Sequence, residues 1–587
     1  MEKLTIQPLP QDMSAIPVDL AHPNRTLLHG CFAERASVNG TERTFLTYIP
    51  EDLEYCQPCL AAVPPSDADP LEFLQSSGLR ELAEKKRLYV HVLVPTKPWQ
   101  EDADAADFLN AVYAAVQGRD YYVTMQDNIY ASGFGDGASV AHAACAKMAS
   151  EWSGLFTFGD LRGDLTLGTG AAQANEQGSL ELKIEAKQAQ LPVWIVAEGE
   201  SAGVVSAQEY WKAQNGVSSE PLSGQGADRI WLPQPMRKFS EVNEEHIAQV
   251  RLTLGSTEPS PEKLENVWSY IGQARRHRGF GKKILRVFKD PIALGATKHE
   301  MTYKGMARLW YEYVPARCTP DKKWPLVLCM HGRGGTAETF FDISCMSTVA
   351  EERGFIAVFP QAGFYQQKPG GLKNVLFWCG EQDGTPIDDP GFLLEMIADM
   401  KKRLPIDPGR LYSTGQSSGG MMTDVLWYTA SDLFAACASW SGMYHPKKIR
   451  CRCPMSEPLI PTLFICGESD AICTAKEPDP DLPFSLIPEL KADILFKLER
   501  FGLKIDGWES WTCEPITWYC WRDAQGVPLL TVGIVKDMAH ANYPGESWLT
   551  WDEYLCQFSK DEQGRLLWRG KIVHSVLRET KQTKPLA

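Results

Sequence analysis

The stretch RLYSTGQSSGGMMTDVLWYTA, residues 410–430, decides the fold. RLYSTG has the character of a buried strand and MMTDVLWYTA that of a helix, and Gly415-Gln416-Ser417-Ser418-Gly419 spells G-x-S-x-G between them. A nucleophilic serine needs this shape, because it sits on a strained turn that only small neighbours allow. The N-terminus of the following helix also stabilises negative charge. The stretch therefore predicts that Ser417 is a nucleophile.

Strand-like and helical segments alternate on both sides of this stretch. Apolar runs of strand length lie at 309–315, 325–330, 354–360, 433–440, 461–467 and 529–535, the last of these being the final strand expected. Helical spacing occurs at 388–404, with Asp388 or Asp389 as its cap, at 489–502, and at 546–558 as the final helix. Such alternation predicts an α/β fold with a mostly parallel sheet covered on both faces. Ligands of such sheets bind at the carboxyl ends of the strands.

Two further side chains follow strand ends in the chain order of a serine hydrolase, which is serine, acid, histidine. Asp470 comes just after PTLFICG (461–467), and His540 follows LLTVGIV (529–535). In such a triad the imidazole takes the proton of the serine and the carboxylate holds the imidazole in the correct tautomer. We therefore predict a catalytic triad of Ser417, Asp470 and His540.

Other residues remain open as alternatives to members of this triad. Glu468 is the second candidate for the acid and Asp506 a distant third. His445 is the second candidate for the base, although it precedes the acid. Gly199-Glu200-Ser201-Ala202-Gly203 is a second G-x-S-x-G, but no His-Gly turn precedes it and no histidine at a strand end follows it.

The oxyanion hole is predicted upstream, where the strand 325–330 runs into HGRGG (331–335). A glycine-rich turn lets one backbone N–H face the site, and the residue after the nucleophile supplies the second. We assign these donors to Arg333 and Ser418, with Gly334 as the alternative to Arg333. The simpler interpretation of HGRGG is an ordinary turn between a strand and a helix.

The first half of the chain reads as an altered copy of the second. The matches pair 44–50 with 309–315, 82–95 with 349–360, 128–158 with 410–439, and 191–201 with 460–470. In this alignment Ser417 corresponds to Gly135, the HGRGG turn to PPSDA (64–68), Asp470 to Ser201, and His540 to a position near Thr257. We expect tandem domains at 1–290 and 291–587, of which the first is degenerate and lacks the triad.

Composition excludes several classes of protein. The chain has 587 residues, 59 Lys and Arg against 74 Asp and Glu, and a net charge of −15, which argues against nucleic-acid binding. The first 20 residues contain no apolar stretch of signal-peptide length, and no apolar run in the chain reaches the length of a membrane span, so we expect a cytoplasmic protein. The 16 cysteines are scattered in apolar runs, which indicates reduced thiols. A zinc site is not expected at the cysteine pairs Cys56/Cys59 and Cys451/Cys453, because each lacks a second pair at useful spacing. We interpret the basic run 270–290 as a solvated helix face or a linker between domains.

Four segments together resemble a known family of esterases. They are MHGRGGTAETF (330–340), IDDPGFLLEMIADM (387–400), the long segment 406–442 around Ser417, and DMAHANYPGESW (537–548). The chain is similar here to the group that includes poly(3-hydroxybutyrate) depolymerases, feruloyl esterases and acetylxylan esterases. The resemblance covers about residues 305–560. It implies an α/β-hydrolase fold and hydrolysis of carboxylic esters, with Ser417 as nucleophile, Asp470 as acid and His540 as base.

The leading hypothesis is therefore a serine esterase that works through an acyl-enzyme and needs no metal or organic cofactor. A peptidase, amidase or lactonase could use the same triad, and a non-catalytic interaction protein is the third hypothesis. The substrate would be a small or oligomeric ester. The first half would cap the active-site mouth, shape the acyl pocket or mediate a homo-oligomer. Trp378, Trp440 and Trp548 are candidates for a pocket wall, or more simply for the core.

Overall fold

The chain folds into two compact units, the first ending at Phe288 and the second beginning at Lys289. The computed structural model describes residues 3–10, 16–17, 19–117, 128–165, 167, 189–233, 247–276, 285–365, 375–382, 385–443, 455–543 and 545–576. The predictions for His445, for Cys451 and Cys453, and for residues 277–284 of the basic run fall outside these residues. The prediction that the run 270–290 is a solvated face or linker is wrong for its described part. There Arg275, Arg276 and Arg286 are buried in two short paired strands, and Arg276 donates to backbone carbonyls. Within the described residues, no helix combines the length and the apolarity needed to cross a bilayer.

The first unit is built on an eleven-stranded sheet in the order β1-β2-β3-β5-β4-β6-β7-β8-β11-β10-β9. Its strands are β1 (Ile6–Gln7), β2 (Gly30–Val38), β3 (Thr41–Ile49), β4 (Cys59–Val63), β5 (Tyr89–Leu93), β6 (Ile129–Phe134), β7 (Gly154–Phe158), β8 (Val193–Ala197), β9 (Leu222–Gly224), β10 (Ala227–Trp231) and β11 (Val250–Leu254), with a separate pair β12 (Ala274–Arg276) and β13 (Leu285–Val287). Its helices are α1 (Pro70–Ser76), α2 (Leu79–Lys86), α3 (Ala105–Val116), α4 (Gly137–Lys147), α5 (Ala202–Asn215) and α6 (Pro261–Ile271).

The second unit is built on a ten-stranded sheet in the order β14-β15-β17-β16-β22-β23-β24-β27-β26-β25. Its strands are β14 (Thr297–Tyr303), β15 (Met306–Tyr313), β16 (Trp324–Met330), β17 (Ile356–Pro360), β22 (Ile406–Gln416), β23 (Ala436–Trp440), β24 (Thr462–Gly467), β25 (Trp508–Cys513), β26 (Ile516–Arg522) and β27 (Pro528–Val535). Small sheets are formed by β18 (Phe364–Tyr365) with β19 (Val375–Leu376), by β20 (Glu381–Gln382) with β21 (Thr385–Pro386), and by β28 (Phe558–Lys560), β29 (Leu566–Trp568) and β30 (Lys571–Ile572). Its helices are α7 (Ala337–Ser344), α8 (Met346–Arg353), α9 (Asp389–Arg403), α10 (Ser418–Thr429), α11 (Pro488–Phe501) and α12 (Glu546–Trp548).

The two large sheets share one topology. Counted from β2 and from β14, ten strands correspond in order. In both units the central six strands are parallel to one another. The next strand on each side pairs antiparallel both with this central group and with the outermost strand. The six helices of each unit occupy the same places between those strands. The predicted tandem α/β-hydrolase fold is therefore confirmed.

The central strands form because their residues are apolar at almost every position, as expected for strands covered on both faces. Every residue of β4, β17, β23 and β24 is buried. In the first unit successive residues enter opposite cores, with Cys59 and Ala61 in one and Leu60 and Ala62 in the other.

The second unit differs from the prediction in three respects towards the end of the chain. LLTVGIV is not the last strand, because the sheet β28-β29-β30 follows it, and β25 and β26 precede it unpredicted. Every residue of β25 is exposed, so this edge strand lacks the alternation by which a half-buried strand is recognised. The predicted last helix consists of α12 followed by a π-helical turn (Leu549–Tyr554) and a 3-10 turn (Leu555–Gln557).

Candidate active site

Ser417 lies on a strained turn between β22 and α10. Its φ of 53° and ψ of −115° are unfavourable for a residue with a side chain, and such a conformation costs on the order of 1–3 kcal/mol. Its N–H donates to the carbonyl of Trp440 on the adjacent β23 at 2.8 Å. A Cβ at Gly419 would lie 2.0 Å from the Met330 carbonyl oxygen, and one at Gly415 would lie 2.6 Å from the Gly419 carbonyl. The sharp turn therefore requires glycine at both ends of G-x-S-x-G.

His540 connects Ser417 to Asp470 through two hydrogen bonds. The distance from Ser417 Oγ to His540 Nε2 is 2.8 Å, and that from His540 Nδ1 to Asp470 Oδ2 is also 2.8 Å. An ionised carboxylate only accepts, so Nδ1 carries the proton and Nε2 accepts from the serine hydroxyl. The three residues come from the ends of β22, β24 and β27, as the sequence predicted. The amide nitrogen of Gln416 lies 3.5 Å from His540 Nε2, a neighbour that the motif alone did not reveal.

The surroundings of Asp470 favour its charged form. The side chain is fully buried, and this burial acts to raise its pKa. Hydrogen bonds from His540, Cys473 and the Ile472 N–H outweigh the burial, so the pKa of Asp470 lies below its usual value. A carboxylate that stays ionised in this way can hold the imidazole in one tautomer and stabilise it when it becomes charged.

The alternative acids lie elsewhere. Glu468 Oε2 accepts from the Asp537 N–H at 3.1 Å, so its carboxylate braces the segment that leads to His540 rather than touching the imidazole. Asp506 is exposed in the turn after α11.

One group in the described part of the chain has the arrangement of a metal site. The ligand atoms of Asp470, Cys473 and His540 all lie within 4.8 Å of one another. Burial raises the pKa of the Cys473 thiol, and the nearby Cys466 and Asp470 raise it further. Two of the three ligand atoms, His540 Nδ1 and Asp470 Oδ2, are already hydrogen-bonded to each other.

The backbone N–H groups of Arg333 and Ser418, the predicted oxyanion donors, have no acceptor among the described residues. The N–H of Gly334 instead donates to the Leu376 carbonyl at 2.9 Å, which disfavours Gly334 as the donor. The turn lies against the nucleophile, since a Cβ at Gly332 would lie 3.4 Å from Ser417 Cβ.

His331 and Trp378 hold this turn in place. Nε2 of the buried His331 accepts from the Ala362 N–H at 3.0 Å, so Nδ1 carries the proton and donates to the Gly332 carbonyl at 2.7 Å. Burial lowers the pKa of His331 to about 4, which keeps the imidazole neutral. The indole N–H of Trp378 donates to the His331 carbonyl at 2.9 Å. Trp378 is 2% exposed and thus a core residue that shapes the turn, a role that its sequence position did not reveal.

The second G-x-S-x-G motif forms the start of a helix. Ser201 is the N-cap of α5, where its hydroxyl oxygen accepts from the Val204 N–H at 3.3 Å and its O–H donates to the Leu161 carbonyl at 3.4 Å. A serine N-cap of this kind satisfies one of the free N–H groups of the first turn. In the register of β8 and β24 against their neighbours, Ser201 occupies the place of Asp470, as the repeat alignment indicated.

The first unit keeps the backbone of the nucleophile turn but fills the site with its own atoms. Gly135 has φ 55°, and its N–H donates to the Phe158 carbonyl at 2.8 Å, which matches Ser417 and Trp440. A Cβ at Gly135 would lie 3.2 Å from Pro65 Cγ. The carboxylate of Asp136 accepts from the N–H of Ser66 at 2.8 Å and from its hydroxyl at 2.5 Å. Since Ser66 corresponds to Arg333, a carboxylate stands where an oxyanion would bind.

Comparison with known proteins points to one class of enzyme. The chain is 30% identical over 141 residues to feruloyl esterase B of Neurospora crassa, over 23% of this chain and 44% of that protein. It is 34% identical over 134 residues to poly(3-hydroxyalkanoate) depolymerase C of Paucimonas lemoignei, over 22% and 30%. Acetylxylan esterase A of Aspergillus oryzae is 28% identical over 137 residues, over 23% and 41%. The chain thus spans less than half the length of these curated relatives.

Among solved structures, acetyl xylan esterase from Aspergillus awamori matches 43% of this chain and 98% of its own, with 17% identity and a TM-score of 0.32. No family model matches the chain. The resemblance predicted from the sequence motifs is nevertheless confirmed: the chain is similar to esterases of the feruloyl esterase, acetylxylan esterase and poly(3-hydroxyalkanoate) depolymerase group.

Proposed function

We propose that this protein is a serine esterase whose catalytic triad is Ser417, His540 and Asp470. The observation that carries the proposal is the hydrogen-bonded series of the three side chains, with 2.8 Å at each step, on a serine held at positive φ. A hydroxyl activated in this way is a nucleophile for carbonyl carbon. The names of the sequence relatives favour carboxylic esters as substrates.

The reaction runs through an acyl-enzyme. His540 takes the proton of Ser417 as the oxygen attacks the ester carbonyl, and Asp470 stabilises the imidazolium that forms. The N–H groups of Arg333 and Ser418 bind the oxyanion, and the positive end of α10 adds to their effect. The imidazolium then gives its proton to the leaving alcohol. Water, activated by the same histidine, releases the acid and restores the serine.

The test compares Ser417→Ala with Ser201→Ala, which removes the serine of the other G-x-S-x-G. We expect Ser417→Ala to lower kcat by about 10³-fold or more and to abolish labelling by a fluorophosphonate probe. Ser201→Ala should retain both, because its hydroxyl caps a helix. Ester turnover that survives in Ser417→Ala would refute the assignment.

The substrate class is tested separately, on a panel of acetyl, feruloyl and 3-hydroxybutyryl esters, lactones, amides and peptides. We expect turnover of esters to exceed that of amides and peptides. The opposite preference, with Ser417 still labelled, would favour the alternative of a peptidase or amidase on the same triad.

We further propose that the first unit is non-catalytic. Its nucleophile position is Gly135, Pro65 lies against that position, and Asp136 occupies the oxyanion position. A cytoplasmic location and a homo-oligomer formed through this unit remain predictions. Cell fractionation tests the first, and light scattering of the full chain tests the second.

A further inference from the structure

Glu546 lies buried beneath the segment that carries His540. It is 1% exposed and begins α12. Its Oε2 accepts from the side-chain amide of Asn542 at 3.1 Å and from the N–H of Tyr543 at 3.2 Å. These donors follow His540 by two and three residues. One carboxyl oxygen therefore closes a tight loop on the C-terminal side of the candidate base.

No cation compensates Glu546 in the described part of the chain. The other carboxyl oxygen, Oε1, has no hydrogen-bond partner there. Glu546 interacts electrostatically with the thiol of Cys466 on β24. Burial raises the pKa of Glu546 well above its usual value. A buried acid without a partner is normally unfavourable, so its presence beside the base loop calls for a specific role.

The segment that starts at Glu546 is also fixed to the nucleophile side of the site. Four residues on, Thr550 Oγ1 accepts from the indole N–H of Trp440 at 2.9 Å. The carbonyl of Trp440 accepts the N–H of Ser417 at 2.8 Å. Glu546 and Thr550 thus connect the base loop and the nucleophile turn through one short helical segment.

We propose that Glu546 is a positioning residue for His540, whose carboxyl acts as the acceptor that holds Asn542 and Tyr543 and so keeps Nε2 within hydrogen-bond reach of Ser417 Oγ. The inference rests on the proposed function, since the placement of His540 matters only if it is the base. A displacement of about 1 Å at a catalytic group can cost on the order of 10²-fold in rate, so two hydrogen bonds in this loop are sufficient to control turnover.

The test measures kcat and KM on one ester for Glu546→Ala, Glu546→Gln and Glu553→Ala, with active sites counted by fluorophosphonate labelling. Glu553 is an exposed residue on the same helical segment and serves as the matched control. We expect Glu546→Ala to lower kcat per labelled site by about 10- to 100-fold with KM within about twofold. Glu546→Gln keeps a carbonyl oxygen as acceptor and should stay within about threefold of wild type, and Glu553→Ala should be unchanged.

Unchanged kcat per labelled site in Glu546→Ala would overturn the proposal, and so would a loss in Glu546→Gln as large as that in Glu546→Ala. If Glu546→Ala does not fold, Asn542→Ala removes one of the two donors, and we expect a smaller loss of about 3- to 10-fold. An unchanged Asn542→Ala with unchanged Tm would then overturn the proposal. Failure of the esterase assignment appears separately, as wild-type protein that is not labelled at Ser417.

Discussion

At the scale of single residues, the site depends on which groups are charged and which are neutral. Asp470 is buried yet ionised, because three donors point at its carboxylate. Burial raises the pKa of Glu546 well above its usual value, which favours its neutral form. His331 is buried and neutral, with one ring nitrogen as donor and the other as acceptor. Each state suits a different task, namely orienting His540, holding its loop, and shaping the oxyanion turn.

The pKa of Glu546 leads to a prediction for stability. The folded state favours the protonated carboxyl, whereas an unfolded chain releases this proton near pH 4.3. The free energy of unfolding should therefore fall as pH rises from about 4.3 towards the folded pKa, by about 1.4 kcal/mol per pH unit for one proton. Glu546→Gln removes this titration. We expect its stability relative to wild type to increase with pH in urea unfolding between pH 5 and 8.

Urea unfolding can check both the direction of this stability difference and the pH range over which it changes. The lowered pKa of Asp470 places its own contribution at more acid pH, since that stability is present above about pH 3.9 and lost only below it. The titrations shared by wild type and variant cancel in the difference. A difference that does not change with pH would show that Glu546 is ionised in the folded protein.

At the scale of elements, the oxyanion turn is held from outside its own sequence. The turn 331–335 is anchored by the indole of Trp378, more than 40 residues later in the chain. We expect Trp378→Phe to lower kcat about tenfold, less than the roughly 10²- to 10³-fold loss on removal of an oxyanion donor itself, and to destabilise the fold by about 1–3 kcal/mol. Steady-state kinetics and chemical denaturation measure the two effects.

Trp521→Phe is the matched control for this variant. Trp521 is also buried and its indole N–H also donates to a backbone carbonyl, that of Ile505, at 3.0 Å. Trp521 lies on β26, so we expect Trp521→Phe to lower the free energy of unfolding with little change in kcat. Equal loss of kcat in both variants would mean that Trp378 acts only through general stability.

Elements were predictable where periodicity was strong. The helix 388–404 corresponds to α9, and Asp388 caps it by accepting from the Gly391 N–H, whereas Asp389 pairs with the buried Arg308. The exposed strand β25 was missed because none of its residues faces a core. The composite helical segment after Gly545 follows from tertiary contacts such as Trp440 with Thr550, which no local pattern encodes.

At the scale of the whole molecule, two units with one topology carry different chemistry. At Gly135 the backbone has the positive φ of the nucleophile turn, but the residue has no nucleophilic side chain. We predict that Gly135→Ser, introduced into the Ser417→Ala background, is not labelled by a fluorophosphonate and has no esterase activity. The physical reasons are the closeness of Pro65, the carboxylate of Asp136 in the oxyanion position, and Ser201 in place of the acid. Mass spectrometry of labelled wild type should find one probe per chain, on Ser417.

The Tm of the Gly135→Ser variant shows whether the substituted unit is still folded. A Gly135→Ser variant of unchanged Tm that remains unlabelled supports the prediction, since Ser417 has nearly the same positive φ, 53° against 55° at Gly135. Labelling at position 135 would contradict it and would show that the first unit retains a working site.

The sequence by itself determined the α/β class, the duplication and the positions of Ser417, Asp470 and His540, because strand and turn patterns are local and each candidate directly follows a strand. The tertiary structure alone decided how these groups meet and what supports them. The supporting contacts are the donors around Asp470, the hydrogen bond from Trp378 to the oxyanion turn, and the loop held by Glu546. In the first unit, the carboxylate of Asp136 occupies the corresponding site. These contacts join residues from different strands and loops. Their energies depend on burial and on hydrogen-bond geometry in three dimensions, which spacing along the chain does not specify.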